Sequence, residues 1–326
     1  MTSVNFTVLD IGHGNCTIID SETSFTVIDA AQGSELLNIL RDKGVIEIDN
    51  LILSHSDADH IGGAISLLMD ESIVVKRIHL NTDPIKSTKK WTSILVAIQY
   101  ARTNKGTKLS PSVARDQDAI ECPDFKLEIL APNPVDCLSG PGMLNIEGSR
   151  LDANTMSVVL RLVHNNENIA LIPGDMDAGS LEFLKSEQQS IQAKILIFPH
   201  HGGLPGQGSP YDFSKELCEL VDPDLILFSN SRNRHNNPIP DVISGVRASN
   251  CGAHLACTQI SKTCCSNDDS LSNEHLIAVY PSKGQSQRHS CAGSVSILLN
   301  GNNTDVLTPL DAHRAYIMGF DDRKCI

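Results

Sequence analysis

The chain has 326 residues, of which 40% are hydrophobic, and a formal net charge of −13. That length and apolar content suffice to bury a large core, which excludes a wholly disordered chain and fits one large α/β domain or two smaller halves. The acidic charge excludes a broad basic groove for duplex DNA, because non-specific grip comes from Lys and Arg at the phosphates, but it allows a short substrate held mainly by metal ions.

The first third of the chain predicts antiparallel strands followed by alternating helices and strands. Phe6 and Val8 alternate inward before a turn at Gly12-His13-Gly14-Asn15, which is the pattern of a hairpin. Ser34 is expected to cap the first helix, and Gly44 to end it. The other elements predicted here are strands at 17–19, 25–29, 51–53 and 74–80 and helices at 35–43, 61–69 and 87–103.

The rest of the chain repeats this alternation after a loop. Residues 132–150 are rich in Pro, Gly and Asn and predict a connection between two halves. Because mixed strands and helices occur twice, we expect two sheets packed face to face with helices outside. We predict one domain at 1–300, with halves of about 1–145 and 146–300, and a loosely docked tail at 301–326. The second half predicts strands at 156–163, 168–172, 194–198 and 225–228 and a helix at 178–185.

Four groups able to bind metal occur within the run His55-Ser56-Asp57-Ala58-Asp59-His60. Alternate residues leaving a strand point to one side, and the next two enter the first turn of a helix, so all four groups lie close together. Gly62 and Gly63 allow the backbone to pack closely against them. The spacing therefore predicts a metal centre.

This run resembles the histidine-aspartate motif of the metallo-β-lactamase superfamily. Asp57 stands in the place of the usual second His and precedes an Asp-His-Ile-Gly-Gly run, as in the hydrolase domain of the ComEC-like DNA-uptake competence proteins. The resemblance implies the metallo-β-lactamase fold, an α/β four-layer αββα sandwich of two mixed sheets with outer helices. The other segments that resemble this subfamily are Asp10–Asn15, Leu171–Asp175, Ile195–Gly202 and Asn230–Asp241.

The same resemblance implies two divalent metal ions, zinc or manganese, and a role for each ligand. Asp175 would bridge the metals, His55 and Asp57 would hold one, and Asp59, His60 and His201 would hold the other. The candidate catalytic residues are Asp59 and His200. Adjacency to Gly202 favours His201 over His200 as the ligand, but the sequence leaves that choice open. The candidate substrate contacts are Asn154, Arg232, Asn233, Arg234 and His235.

The function implied is metal-dependent hydrolysis of phosphodiesters, nuclease-like, with nucleic acid or another phosphodiester as substrate. Two alternatives stay open: hydrolysis of a small phosphodiester such as a cyclic nucleotide or a phosphocholine ester, and a partner-controlled scaffold that is silent in isolation. A protein partner is possible, and the sequence leaves the oligomeric state undetermined. With no apolar run of roughly 18 residues and no basic leader, we expect a cytoplasmic protein that does not bind membranes.

The ten cysteines are spread over a large chain, so we expect reduced thiols rather than a disulfide framework. A structural zinc site is the alternative for one group, although its spacing lacks paired Cys-x-x-Cys knuckles. Its members are Cys251, Cys257, Cys264, Cys265, His289 and Cys291.

Overall fold

Two mixed β-sheets pack face to face in the computed structural model of this chain, which describes residues 2–276 and 280–325. Met1, residues 277–279 and Ile326 belong to the predicted domain and tail but lie outside the described residues. The strands are β1 (Val4–Val8), β2 (Thr17–Asp20), β3 (Phe25–Ile28), β4 (Glu47–Leu53), β5 (Val74–Leu80), β6 (Lys108–Ser110), β7 (Ile120–Glu121), β8 (Lys126–Ala131), β9 (Val159–His164), β10 (Glu167–Ile172), β11 (Ile195–Ile197), β12 (Leu225–Phe228), β13 (His254–Cys257), β14 (Val295–Asn300) and β15 (Asn303–Val306).

Each sheet combines an antiparallel and a parallel part. The first sheet has the order β15-β14-β1-β2-β3-β4-β5-β6, and its strands run parallel from β3 to β6. The second has the order β13-β12-β11-β10-β9-β8-β7, and its strands run parallel from β10 to β13. The second sheet thus begins at Ile120, ahead of the division predicted near residue 145. The two repeated halves stay a prediction.

Helices cover the outer face of both sheets, which confirms the predicted αββα sandwich. The helices α1, α3 and α4 pack on the first sheet, and α6, α7 and α8 pack on the second. The helices are α1 (Glu35–Asp42), α2 (Ala58–Ile61), α3 (Ala64–Met69), α4 (Lys89–Lys105), α5 (Pro134–Ser139), α6 (Ala178–Ser186), α7 (Pro210–Val221), α8 (Pro240–Ala248) and α9 (Leu310–Met318). Short 3-10 helices lie at Pro199–Gly202, Asp268–Ser270 and Lys283–Gln287.

The inward faces of the two sheets form a third apolar layer between them. Phe6 and Ile52 of the first sheet and Leu160 and Ile197 of the second are at most 3% exposed and belong to one buried cluster. Alternation along each strand supplies these residues, because successive side chains point to opposite faces of a sheet. This layer holds the two sheets face to face, and the loops after parallel strands β4, β10 and β11 lie at one edge of the sandwich.

The helix predicted at 61–69 is interrupted. It forms two pieces, α2 and α3, that are separated at Gly62 and Gly63. The amide of Gly63 donates to the carbonyl of Ala30 at 2.7 Å, and a Cβ on Gly63 would stand 2.3 Å from the carbonyl oxygen of Ala31. This contact with the loop after β3 is a tertiary effect that helical periodicity does not reveal.

The segment predicted to be a loosely docked tail is instead integrated into the fold. Strand β15 pairs antiparallel with β14, and Ile317 and Phe320 are buried in the apolar cluster of the second sheet. The prediction was wrong because a few spaced apolar residues are enough to dock a short helix. None of the helices formed by the described residues combines the length and the apolar character needed to cross a bilayer.

Candidate metal centre

The candidate site lies where parallel strands of both sheets end. His55 follows β4, Asp175 follows β10, and His201 follows β11. Ligands in open α/β sheets commonly bind at the carboxyl ends of strands, where short loops project side chains into a shared space. The sandwich therefore brings together groups that are up to 146 residues apart in the chain.

One cluster of potential ligands is fully buried and consists of His55, His60 and Asp175. One ligand atom from each lies within 4.8 Å of the other two. His60 Nε2 is 3.3 Å from Asp175 Oδ1, and the rings of His55 and His60 are 4.1 Å apart. Two imidazoles and a carboxylate thus face one small volume.

A second cluster adjoins the first and consists of His13, Asp59 and His201. Asp59 Oδ2 lies 3.1 Å from His13 Nε2 and 3.3 Å from His201 Nε2. The ligand atoms of the three residues are again within 4.8 Å of one another. This cluster is more accessible than the first, because His13 and Asp59 are only half-buried.

Asp175 faces both clusters. Its Oδ1 is the atom near His60, whereas its Oδ2 is 3.9 Å from His201 Nε2. The rings of His60 and His201 are 5.6 Å apart, so the clusters are direct neighbours. A carboxylate in that position suits the bridging role that the family resemblance implies for Asp175.

The buried imidazoles are oriented as metal ligands are. Their Nδ1 atoms have partners: the Ser54 hydroxyl at 3.0 Å for His55, Asp29 Oδ2 at 2.7 Å for His60, and the Ser229 carbonyl at 2.7 Å for His201. The Nε2 atoms of all three are buried and make no hydrogen bond within the described chain. Outer partners of this kind fix the tautomer and ring orientation of ligating histidines. The donor set of imidazoles and carboxylates fits zinc or manganese.

Burial and neighbouring charges shift the titration of these groups. Burial lowers the pKa of His55 to about 4, and the charge of His60 adds to that effect. Burial opposes the charged form of His60 as well, but Asp175 and Asp29 outweigh it and raise its pKa well above the usual value. Burial would raise the pKa of Asp175, yet His60 and His201 hold it well below its ordinary range. Asp175 therefore stays ionised and able to bind a cation.

A family model described as the metallo-beta-lactamase superfamily matches residues 9–131, which include the His55 to His60 run. The chain contains a metallo-β-lactamase superfamily domain. This assignment confirms the resemblance inferred from the motifs. The matched region thus has a metallo-hydrolase superfamily domain, and its fold implies divalent metal binding, with the two clusters as the candidate sites.

Individual relatives are distant. ComE operon protein 3 of Bacillus subtilis (strain 168) is 24% identical over 208 residues, which are 64% of this chain and 23% of that protein. The match thus spans about a quarter of the length of the curated relative. Igni18, a metallo hydrolase from Ignicoccus hospitalis, is 13% identical with a TM-score of 0.44, and the match covers 77% of this chain and 94% of that one. The metallo-beta-lactamase fold protein YhfI from Bacillus subtilis is 11% identical with a TM-score of 0.47, with coverage of 80% and 98%.

Two predicted ligand assignments differ from the geometry of this metallo-β-lactamase domain. Asp57 joins neither cluster of the described residues; the Lys86 ammonium pairs with its Oδ1, although its Oδ2 lies only 3.8 Å from His55 Nε2. His60 groups with His55 and Asp175 rather than with Asp59 and His201. The cause is the Asp29 contact at Nδ1, which aims the opposite ring nitrogen at Asp175.

The structure distinguishes His200 from His201. His201 belongs to the second cluster, whereas His200 Nδ1 is 3.9 Å from Asp175 Oδ2 and its side chain is absent from both clusters of the described residues. The backbone amide of His200 donates to Asp175 Oδ1 at 3.2 Å. Its Nε2 is buried without a hydrogen bond from the described residues. His200 thus contacts the carboxylate that lies between the two clusters.

Arg232 is not the substrate contact that the sequence predicts. It is fully buried, and its guanidinium donates to Asp268 Oδ1 and to the carbonyl of Ile260. Its backbone amide donates to Gln259 Oε1 at 3.1 Å. The prediction was wrong because an arginine in a polar loop gives no sign in the sequence that a later segment will cover it.

The other residues predicted to contact substrate lie in different places. Asn233 and Arg234 are exposed and line a cleft of about 600 Å³ beside the second cluster. His235 is exposed, and its ring is 4.9 Å from that of His13. Asn154 is not among the residues that line this cleft, and its Oδ1 is buried without a hydrogen-bond partner in the described chain. The other residues lining the cleft are Ile11, Gly12, His13, Gln32, Gly33, Ala58, Asp59, Ser231, Gln259, Lys283 and Gln287.

Sequence reasoning missed two residues of the site. His13 was interpreted only as part of an opening turn, and Asp29 only as the end of a strand. The available signal for His13 was a histidine between two glycines at a strand end, where the backbone can approach a neighbouring loop closely. Asp29 has a positive φ of 57°, which no composition or spacing pattern reveals.

The candidate zinc group is not assembled in the described chain. The cysteines are free thiols, and no three potential ligands outside the two clusters above converge within 4.8 Å among the described residues. Cys257 contacts the thiols of Cys291 and Cys325, and Cys291 Sγ is 3.0 Å from His313 Nε2. These thiols therefore contact one another in a group that includes Cys325 of the C-terminal segment.

Proposed function

We propose that this chain hydrolyses phosphodiester bonds and that its substrate is a flexible nucleic acid or a similar phosphodiester. The observation that supports the proposal is the pair of adjacent ligand clusters: Asp175 of the buried cluster faces His201 of the second, and His13 and Asp59 of the second line a cleft. Two bound divalent metals, zinc or manganese, would lower the pKa of a water to about 7 and stabilise the attacked phosphoryl group. Such chemistry needs no amino-acid nucleophile.

Different residues of the site would have different roles in metal binding. His55, His60 and Asp175 would hold the buried metal, and Asp59 and His201 the accessible one. Asp175 would keep both metals in register. His200 would act as a positioning residue through Asp175, because its backbone amide donates to that carboxylate.

The cleft supports the choice of an anionic substrate. Arg234 and Lys283 line it beside Asp59, within a chain of net charge −13. Charge-assisted hydrogen bonds to phosphate oxygens are the strong contacts available to such side chains. A few local cations in an acidic molecule suit a single strand or a short substrate better than a long duplex. We propose a cytoplasmic location as well, in keeping with the free thiols.

The test compares cleavage of single-stranded DNA, duplex DNA, RNA, cyclic nucleotides and a chromogenic phosphodiester, with zinc and with manganese. We expect single-stranded substrates to be cleaved and Asp175→Asn to abolish turnover, while His235→Ala only weakens it. Cleavage of cyclic nucleotides alone would favour a small-substrate hydrolase. A fully metallated chain that cleaves none of them would contradict the proposal and favour a partner-controlled scaffold.

A further inference from the structure

The turn that carries His13 is pressed against the metal motif. The amide of Asn15 donates to the carbonyl of Asp59 at 3.2 Å. Gly14, at a φ of +113°, approaches so closely that a Cβ there would stand 2.2 Å from the same carbonyl oxygen. Backbone contacts alone therefore hold the turn that follows His13 against the carbonyl of Asp59.

Ser229 ties this turn to a second ligand. Its hydroxyl donates to the carbonyl of Gly14 at 2.7 Å, and its own carbonyl accepts from His201 Nδ1 at 2.7 Å. One residue at the end of β12 thus fixes both the His13 turn and the orientation of the His201 ring. The fold therefore fixes the position of the His13 imidazole relative to that of His201.

The side chains converge as the backbone requires. His13 Nε2 and His201 Nε2 both approach Asp59 Oδ2, at 3.1 and 3.3 Å. The neighbouring His235 provides a contrast: its ring packs against His13, but it belongs to no ligand cluster of the described residues. A hydrogen bond from His13 to Asp59 would account for only one of the two imidazoles that are directed at this oxygen.

We propose that His13 is a protein ligand of the accessible metal, which it would hold together with Asp59 and His201. The inference rests on the two-metal function proposed above and adds a ligand to it. The buried cluster would then supply His55, His60 and Asp175 to one metal, and the accessible cluster His13, Asp59 and His201 to the other. Three protein ligands leave a coordination position for water or substrate, as catalytic metal sites require. Because His13 also lines the cleft, that open position would face the substrate.

The experiment measures metal binding without substrate. Wild type, His13→Ala, His13→Gln and the matched control His235→Ala are reconstituted with zinc, and metal per chain and affinity are measured by elemental analysis and chelator competition. We expect wild type and His235→Ala to bind two zinc ions per chain. The two His13 variants should retain only one zinc ion per chain after dialysis. Loss of an outer partner costs about 10–100-fold in metal affinity, so loss of a ligand should weaken the accessible site by at least that factor. Cobalt substitution should show an altered absorption spectrum in His13→Gln.

The outcomes separate the two proposals. Two zinc ions bound with wild-type affinity by a folded His13→Ala would overturn the assignment, as would equal losses in His13→Ala and His235→Ala. If His13→Ala unfolds, His13→Gln decides, since it retains a side chain of similar reach. A wild-type chain that binds fewer than two metals contradicts the inference. The chain could bind two metals in a His13-dependent way and still cleave no phosphodiester. That result would contradict the proposed function but support His13 as a metal ligand.

Discussion

Asp29 controls the site from outside the ligand clusters. It is 1% exposed, and it accepts from the Ser54 amide at 2.7 Å and from the Ser54 hydroxyl at 2.9 Å while contacting His60 Nδ1. Its carboxylate is therefore joined both to the loop after β4 and to the imidazole that faces Asp175. A buried charge satisfied in this way fixes geometry as well as charge balance.

The first prediction concerns this outer carboxylate. Asp29→Asn keeps the size of the side chain and tolerates the positive φ, since Asn adopts that conformation readily. Removing the charge should lower zinc affinity by about 10–100-fold while the fold survives. Competition with a fluorescent chelator measures the change. Asp49→Asn, which alters an exposed pair with Lys76, is the control, and equal affinities for the two variants would contradict the role of Asp29.

At the scale of elements, close backbone approaches decide where the helices break. Gly63 has an ordinary φ of −79°, so its requirement is space rather than conformation. Gly179, inside α6, has room for a methyl group, because the atom nearest to an added Cβ would be an Asp177 carboxylate oxygen at 3.4 Å. The two glycines therefore offer a matched comparison of crowding and helix propensity.

The second prediction uses that comparison. Gly63→Ala should destabilise the domain by about 1–3 kcal/mol, because the methyl group collides with the Ala31 carbonyl. Gly179→Ala should instead stabilise it by about 0.5–1 kcal/mol, since alanine is the better helix former. Urea unfolding of the two variants beside wild type gives both values. A neutral Gly63→Ala would mean that the loop after β3 yields at little cost.

Asp10 joins the N-terminal turn to the segment before β14. Its carboxylate accepts from Gln259 Nε2 at 2.8 Å and from the Gly284 amide at 3.0 Å. Burial nevertheless raises its pKa to about 6 from the usual 3.8, because these hydrogen bonds only partly offset the loss of hydration. The contribution of Asp10 to stability is therefore fully present below about pH 4 and is lost as the pH rises through about 6.

The third prediction follows from that sign. In metal-free protein, the free energy of unfolding of wild type relative to Asp10→Asn should fall between pH 4 and pH 7. Two pKa units correspond to about 3 kcal/mol, which sets the upper limit of the change. Urea titrations at several pH values, with a chelator present, measure the difference. A difference that is constant across this range would show that the carboxylate does not titrate there in the folded state.

The elements of this domain differ in how far the sequence predicts them. Strand β5 and helix α4 were predicted within two residues, at 74–80 and near 87–103, because β5 is rich in β-branched residues and α4 carries Trp91, Ile94 and Ile98 on one buried face. Helix α5 was missed inside a segment rich in Pro and Gly, since it is six residues long and buries none of them. Tertiary contacts rather than local pattern split the helix at 61–69 and docked the C-terminal segment.

The site was predictable where its ligands are consecutive and not where the fold assembles them. The His55 to His60 run and Asp175 each follow an apolar strand, and the packing of the two sheets brings these strand ends together. His13 enters through a backbone contact with Asp59, and Arg232 leaves the site because Asp268 and Ile260 cover it. Both depend on segments far apart in the chain, which no local spacing encodes.

At the scale of the whole molecule, the net charge of −13 opposes binding of polyanions. Binding of nucleic acid would therefore depend on the cationic side chains at the cleft. Arg234 is exposed there, whereas Arg232 is buried. The two arginines, two positions apart, should therefore behave in opposite ways when each is replaced by alanine. Their comparison separates substrate contact from fold stability.

The fourth prediction is that Arg234→Ala weakens binding of single-stranded DNA with a non-hydrolysable backbone by the metal-loaded protein. The unfolding transition of Arg234→Ala should stay at the wild-type position. Removing one arginine–phosphate interaction should reduce the slope of log affinity against log salt concentration by about 0.7 for a single strand, because fewer counterions are released. Arg232→Ala should lower stability by about 3 kcal/mol, as expected for a large buried side chain. Fluorescence anisotropy over a salt series and thermal melts measure the two effects. A flat salt dependence in the parent protein would count against nucleic acid as the substrate, because binding through metal alone responds less to ionic strength than binding through arginine.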